Sequence, residues 1–105
     1  MITTHVLDTA AGKPGRGIAV ELERIEYGQW HLIGGGVTDD DGRLRTLTPQ
    51  GPVATGTYRI RFQTGAYGNP FFPIVEIQFV VGDANQHYHV PLLLSPYGYQ
   101  TYRGS

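Results

Sequence analysis

The chain has 105 residues with 8 basic and 9 acidic side chains, and its formal net charge of -1 argues against a protein that tracks nucleic-acid phosphates. Apolar residues make up 40% and charged residues 16%, which predicts a globular chain rather than a disordered or supercharged one. With no Cys, disulfide frameworks, thiolate nucleophiles and Cys-ligated zinc are excluded.

The stretch Thr3 to Thr9 is β-compatible and ends at the turn signal Ala11-Gly12-Lys13-Pro14-Gly15. Ile18, Val20 and Leu22 alternate with Ala19, Glu21 and Glu23, the period of a half-buried strand. Glu26-Tyr27-Gly28-Gln29 predicts a hairpin turn and Trp30 to Val37 the returning strand, weakened by Gly34-Gly35-Gly36. That glycine run lacks the strand–loop–helix setting of a phosphate cradle and reads as flexible or close-packed backbone. Asp39-Asp40-Asp41-Gly42 lacks the ligand spacing and closing Glu of a calcium loop. It predicts an Asx-type turn before a short strand from Arg43 to Leu47. After the loop Pro52 to Gly56, Tyr58, Ile60 and Phe62 alternate with Thr57, Arg59 and Arg61. Gly65 to Pro70 is a short connection. Val75, Ile77, Phe79 and Val81 then form one side of a further strand, closed by the turn Gly82 to Asn85. His87 to Leu94 predicts a strand broken at Ser95-Pro96-Tyr97-Gly98, and Tyr99 to Arg103 one last short strand.

About eight short, regularly spaced strands predict an all-β, antiparallel β-sandwich. No linker or composition shift divides the chain, so residues 1–105 are expected to form a single domain. No apolar run approaches the ~20 residues that span a bilayer, and the N-terminal residues carry no secretory pattern. The expectation is a cytoplasmic protein without membrane or nucleic-acid partners.

Side-chain alternation locates the polar chemistry. In the late strand, Tyr88, Val90, Leu92 and Leu94 share one apolar face, while His87, His89, Pro91 and Leu93 share the other. A Pro within a strand predicts an edge or a bulge. In the first strand His5 and Leu7 lie opposite Val6. The His87-x-His89 spacing puts two rings on one strand face, so a metal-dependent hydrolase using His5, His87 and His89 is one reading. Solvated or structural histidines are the other. Arg43, beside a turn, has the donor fork that suits planar, oxygen-rich ligands.

Four blocks, taken in order, resemble the transthyretin-related 5-hydroxyisourate hydrolases over nearly the whole chain. They are Thr4-His5-Val6-Leu7-Asp8-Thr9, Thr38-Asp39-Asp40-Asp41-Gly42-Arg43-Leu44, Phe71-Phe72-Pro73-Ile74-Val75, and the run from His87-Tyr88-His89 to Tyr102-Arg103-Gly104-Ser105. The resemblance implies a transthyretin-like sandwich that assembles as a homotetramer, with active sites in a channel at the dimer–dimer interface. It implies hydrolysis of the small molecule 5-hydroxyisourate, a product of urate oxidation, to 2-oxo-4-hydroxy-4-carboxy-5-ureidoimidazoline. By matching motifs, His5, Arg43 and His89 are the implied catalytic residues, and no metal or cofactor is implied. Tyr102, Arg103, Gly104 and Ser105 would close the site around the substrate. Either histidine could activate water, and Arg103 could bind substrate or pin the tail. The competing non-catalytic, transthyretin-type carrier would lack this combination of His5, Arg43, His89 and Tyr102–Ser105. Family members usually place a short helix before the Phe71-Phe72-Pro73 block. Gly65, Gly68 and Pro70 predict that it is reduced or absent here.

Overall fold

The computed structural model describes every residue from Met1 to Ser105. Alternation decides which side chains enter the core. Ile18, Val20 and Leu22, then Tyr58, Ile60 and Phe62, then Val75, Ile77 and Val81 are buried on one side. Ile2, Val6, Leu44, Tyr88, Val90, Leu92 and Leu94 meet them from the other. Each such burial is worth roughly 1.5–3 kcal/mol.

The strands are β1 (Ile2–Asp8), β2 (Lys13–Pro14), β3 (Ala19–Glu26), β4 (Gln29–Val37), β5 (Arg43–Leu44), β6 (Gly56–Phe62), β7 (Val75–Val81), β8 (Tyr88–Ser95) and β9 (Gly98–Thr101). One sheet runs β4-β3-β6-β7; the other runs β2-β1-β8-β9, with β5 also paired to β1. This is the expected two-sheet, all-β sandwich. No helix is long and apolar enough to cross a membrane. The only α-helix, α1, is the single turn Thr64–Tyr67, ended by Gly68 in the left-handed region. The Thr64 hydroxyl, fully buried, donates to the Phe72 carbonyl at 2.6 Å and ties that turn to the following block.

Several details depart from the sequence pattern. All strand pairs are antiparallel except β1 with β8, which run parallel. Parallel partners need a long crossover, and here the whole second sheet supplies it. The Arg43–Leu47 strand shrinks to two residues, and Lys13–Pro14, expected in a turn, pairs briefly with β1. Pro91 sits neither at an edge nor in a bulge, because β8 lies between β1 and β9. Tyr88 N–H bonds toward Met1, whereas the His89 carbonyl accepts from Gly104 N–H. Odd positions of β8 therefore face the C-terminal tail, and the donorless nitrogen of Pro91 falls where the ladder is interrupted at Tyr102 and Arg103.

The glycine run in β4 is close-packed backbone. A Cβ on Gly34 would lie 2.0 Å from the Leu47 carbonyl oxygen, and one on Gly36 would lie 2.9 Å from Leu44 Cδ1. The segment from Arg43 to Leu47 thus lies directly on β4, which fixes the approach of Arg43. Gly34→Ala is expected to cost about 1–3 kcal/mol in urea unfolding through overpacking. Gly82→Ala, with nothing within 4 Å of its Cβ, should be close to neutral.

Candidate active site

The outer face of the β2-β1-β8-β9 sheet gathers the polar residues. Antiparallel pairing sets His5 opposite Arg43. Parallel pairing sets Thr3 opposite His89 and His5 opposite Pro91. A single bridge then sets His89 opposite Gly104. Four neighbouring segments therefore carry Arg43, His5, His89 and the tail side by side. A cleft of about 130 Å³ opens there, lined by Thr3, Arg43, Arg45, His87, His89 and Ser105 among others. His5 flanks it, with its ring centroid 6.4 Å from that of His89.

The Asx turn places Arg43. Asp39 Oδ1 accepts the N–H groups of Asp41 and Arg43, each at 2.9 Å. The Arg43 N–H, chiefly, holds this carboxylate below its ordinary pKa. The same turn orients His5, whose Nε2 lies 3.0 Å from the Asp41 carbonyl oxygen. A carbonyl only accepts, so Nε2 carries the proton and Nδ1 of the neutral ring keeps its lone pair.

His89 and His87 meet through one hydroxyl. Thr3 Oγ1 lies 2.8 Å from His89 Nδ1 and 2.7 Å from His87 Nε2. His89 is half-buried and its pKa lies below the usual 6.5. Burial is the main cause, and the cations of Arg43 and Arg45 and the rings of His5 and His87 add to it. A proton is thus disfavoured on this ring, which leaves a neutral imidazole in front of the cleft at neutral pH.

The tail lies against this ring. Gly104 N–H donates to the His89 carbonyl at 2.8 Å. A Cβ on Gly104 would stand 2.6 Å from His89 Cδ2, so only glycine permits this approach without displacing the ring. Tyr102 faces Pro91 in the same register and is 57% exposed. Arg103 turns away from the imidazoles. Its guanidinium stacks 4.3 Å over the Tyr88 ring, and Nη2 donates to Gln86 Oε1 at 2.7 Å.

The pattern of the chain did not single out Thr3 or Arg45. Thr3 shares the parity of His5, which is a usable signal, but its histidine partners lie more than 80 residues away. A larger cleft of about 370 Å³ lies elsewhere, lined by Asp8, Tyr67, Asn69 and Ser95 among others. It contains no imidazole or guanidinium. Its Tyr67 hydroxyl donates to Asp8 at 2.7 Å and is pushed up to about 12 by burial and that bond.

The family model described as HIUase/Transthyretin family matches residues 2–104. The chain belongs to the HIUase/Transthyretin family. Among its relatives in that family, a 5-hydroxyisourate hydrolase of Halalkalibacterium halodurans is 47% identical over 115 residues, covering 99% of this chain and 97% of the relative. The solved 5-hydroxyisourate hydrolase of Klebsiella pneumoniae superposes with a TM-score of 0.85 at 35% identity, covering 99% and 97% of the two chains. Sea bream transthyretin, solved in complex with thyroxine, superposes with a TM-score of 0.90 at 31% identity, covering 98% and 93%. Backbone shape in the HIUase/Transthyretin family therefore does not separate a 5-hydroxyisourate hydrolase from a thyroxine-bound transthyretin, and the side chains of the site must.

The electrostatics of His89 can be checked directly. In the unfolded chain an imidazole takes up a proton near pH 6.5, while the folded ring resists it to lower pH. Its stabilising contribution is therefore complete above 6.5 and is lost as pH falls toward the folded value. The Cε1–H resonance of His89 should titrate with a midpoint below 6.5, and Arg43→Gln should move that midpoint upward. A midpoint at or above 6.5 in the unsubstituted protein would contradict the arrangement.

Proposed function

We propose that this protein hydrolyses 5-hydroxyisourate to 2-oxo-4-hydroxy-4-carboxy-5-ureidoimidazoline in urate degradation, without a metal or cofactor. The observation that carries the reading is the convergence of His5, Arg43, His89 and the tail on one sheet face. The names of the full-length relatives support the same substrate. A carrier of the transthyretin type has no need of a neutral imidazole held beside a guanidinium, so that reading is not favoured.

In the proposed mechanism the Arg43 guanidinium holds the oxygens of the planar substrate and stabilises the oxyanion that develops when water adds to a ring carbonyl. His89, kept neutral, takes the proton from the attacking water at Nε2. His5, with its Nε2 proton engaged by Asp41, offers Nδ1 as an acceptor that orients substrate or water. The C–N bond then opens, and His89 returns the proton to the departing ring nitrogen. The new carboxylic acid ionises at neutral pH, so each turnover releases one proton to water.

Tyr102, Gly104 and Ser105 close the substrate cage in this proposal, and Arg103 clamps the tail by its stack on Tyr88. The assembly proposed is a homotetramer of single 1–105 domains, with the cleft completed between dimers, in the cytoplasm.

The test adds purified protein to freshly generated 5-hydroxyisourate and follows its ultraviolet decay against a buffer blank. Decay at the blank rate would sink the proposal. His5→Ala and His89→Ala should each slow turnover about 10²–10⁴-fold, the usual contribution of a positioned acid–base group. Removal of Tyr102–Ser105 should do comparable damage, and light scattering should return a tetramer for all three variants. Treatment with a chelator should leave the rate unchanged; loss of activity that returns with added zinc would favour the metal reading instead.

A further inference from the structure

We propose that Thr3 and His87 form a proton relay that links His89 to solvent and sets its tautomer. The inference rests on the hydrolase reading above and extends it by two positioning residues.

The geometry is a three-membered chain. His87 Nε2, Thr3 Oγ1 and His89 Nδ1 follow one another at 2.7 and 2.8 Å. Thr3 is 3% exposed, so its hydroxyl has little access to water. Its single hydrogen can be given to only one of the two rings. His87 is exposed and lies just ahead of β8 on the wall of the same cleft, so the chain runs from the half-buried His89 ring to a solvent-exposed one.

The single hydroxyl hydrogen imposes a polarity. For His89 Nε2 to accept a proton from water, the ring must carry its own proton on Nδ1, which donates to Thr3. Thr3 then donates to His87 Nε2, and His87 keeps its proton on Nδ1, toward solvent. When His89 Nε2 takes the water proton, its Nδ1 proton passes to Thr3 oxygen. The Thr3 hydrogen passes to His87 Nε2, and His87 releases its Nδ1 proton to bulk water. His89 is neutral again, now protonated on Nε2 and ready to donate. When that proton goes to the departing nitrogen, the chain runs in reverse and His87 takes one proton back from water. Every group ends as it began, and no imidazolium has to persist beside Arg43, Arg45 and His5. Burial, chiefly, and then Arg43, His5, His87 and Arg45 make a lasting charge on His89 unfavourable.

The closing experiment compares Thr3→Val, which keeps the shape and removes the hydroxyl, with Thr3→Ser, which keeps the hydroxyl. Thr3→Val should lower kcat about 10–100-fold with KM nearly unchanged, and Thr3→Ser should stay within a few-fold of the parent. Imidazole ¹⁵N spectra should show His89 protonated on Nδ1 in the parent and in Thr3→Ser, and shifted toward Nε2 protonation in Thr3→Val. His87→Ala, at an exposed position, carries the test should Thr3→Val fail to fold. Its kcat should fall about tenfold and recover as free imidazole is added, a response that a purely structural role would not give. Full kcat in Thr3→Val, or a buffer-independent, undiminished rate in His87→Ala, would overturn the relay. A parent protein without hydrolase activity would instead overturn the parent reading, so the two failures are distinct.

Discussion

The parallel pairing of β1 with β8 is the constraint on which the rest depends. It joins segments 86 residues apart and sets Thr3 beside His89 and His5 beside Pro91. A slip of one residue would turn every side chain of one strand to the other face. His89 would enter the core, and Tyr88 or Val90 would face the cleft. The core prevents that slip, because Ile2, Val6, Val90 and Leu92 must all be buried together. Hydrophobic burial on one side of the sheet thus enforces the register of His5, His89 and Thr3 on the other. The Thr4 hydroxyl, fully buried, reinforces it by donating to the Val90 carbonyl at 2.6 Å.

Two further devices complete the row. Asp39 pins the turn that carries Arg43, and β5 needs only two paired residues because the turn and the β4 glycines supply the remaining restraint. On the other side the tail is held by contacts that leave the cleft unobstructed. Arg103 grips Tyr88 and Gln86 on the reverse side, and Thr101 Oγ1 donates to the Pro91 carbonyl at 2.8 Å. That hydroxyl bond stands near the place where Pro91 breaks the ladder. The proline, anomalous for an interior strand, marks the point where the tail leaves regular pairing.

Much of this was legible in the chain itself. Period-two alternation identified the strands and the face of each, because burial acts on single residues at fixed spacing. The histidine face of β8 and the Asx turn at Asp39 followed from local chemistry, whereas the glycine run read as flexible or close-packed until the Leu47 and Leu44 contacts decided for close packing. The parallel sense of β1 against β8 did not, since no local pattern encodes which distant strand becomes a neighbour. For the same reason Thr3 carried no signal beyond its parity with His5. A threonine in a strand is ordinary, and its meaning comes only from the two rings that bracket it. Thr38, Ser95 and Thr101 are hydroxyl residues of the same kind in the sequence. Their hydroxyls instead serve the backbone, at Gly15, Gly98 and Pro91.

Division of labour between the two faces of a strand explains how one backbone serves such different relatives. Along β8, Tyr88, Val90, Leu92 and Leu94 answer to packing, and substitutions there would disturb the whole sandwich. His89 answers to none of that packing, so the outer face can change chemistry without touching the core. A carrier and a hydrolase can therefore superpose closely while differing in what a small planar molecule meets on arrival. In this chain the arriving molecule meets the guanidinium groups of Arg43 and Arg45, the imidazoles of His87 and His89 and the buried Thr3 hydroxyl in one cleft, with His5 flanking it. Of these, the exposed His87 lies at the solvent end of the hydrogen-bonded chain through Thr3. In the proposed relay that arrangement does more than bind, because it gives protons a path in and out of a site where burial, and then the neighbouring cations, disfavour a charge on His89.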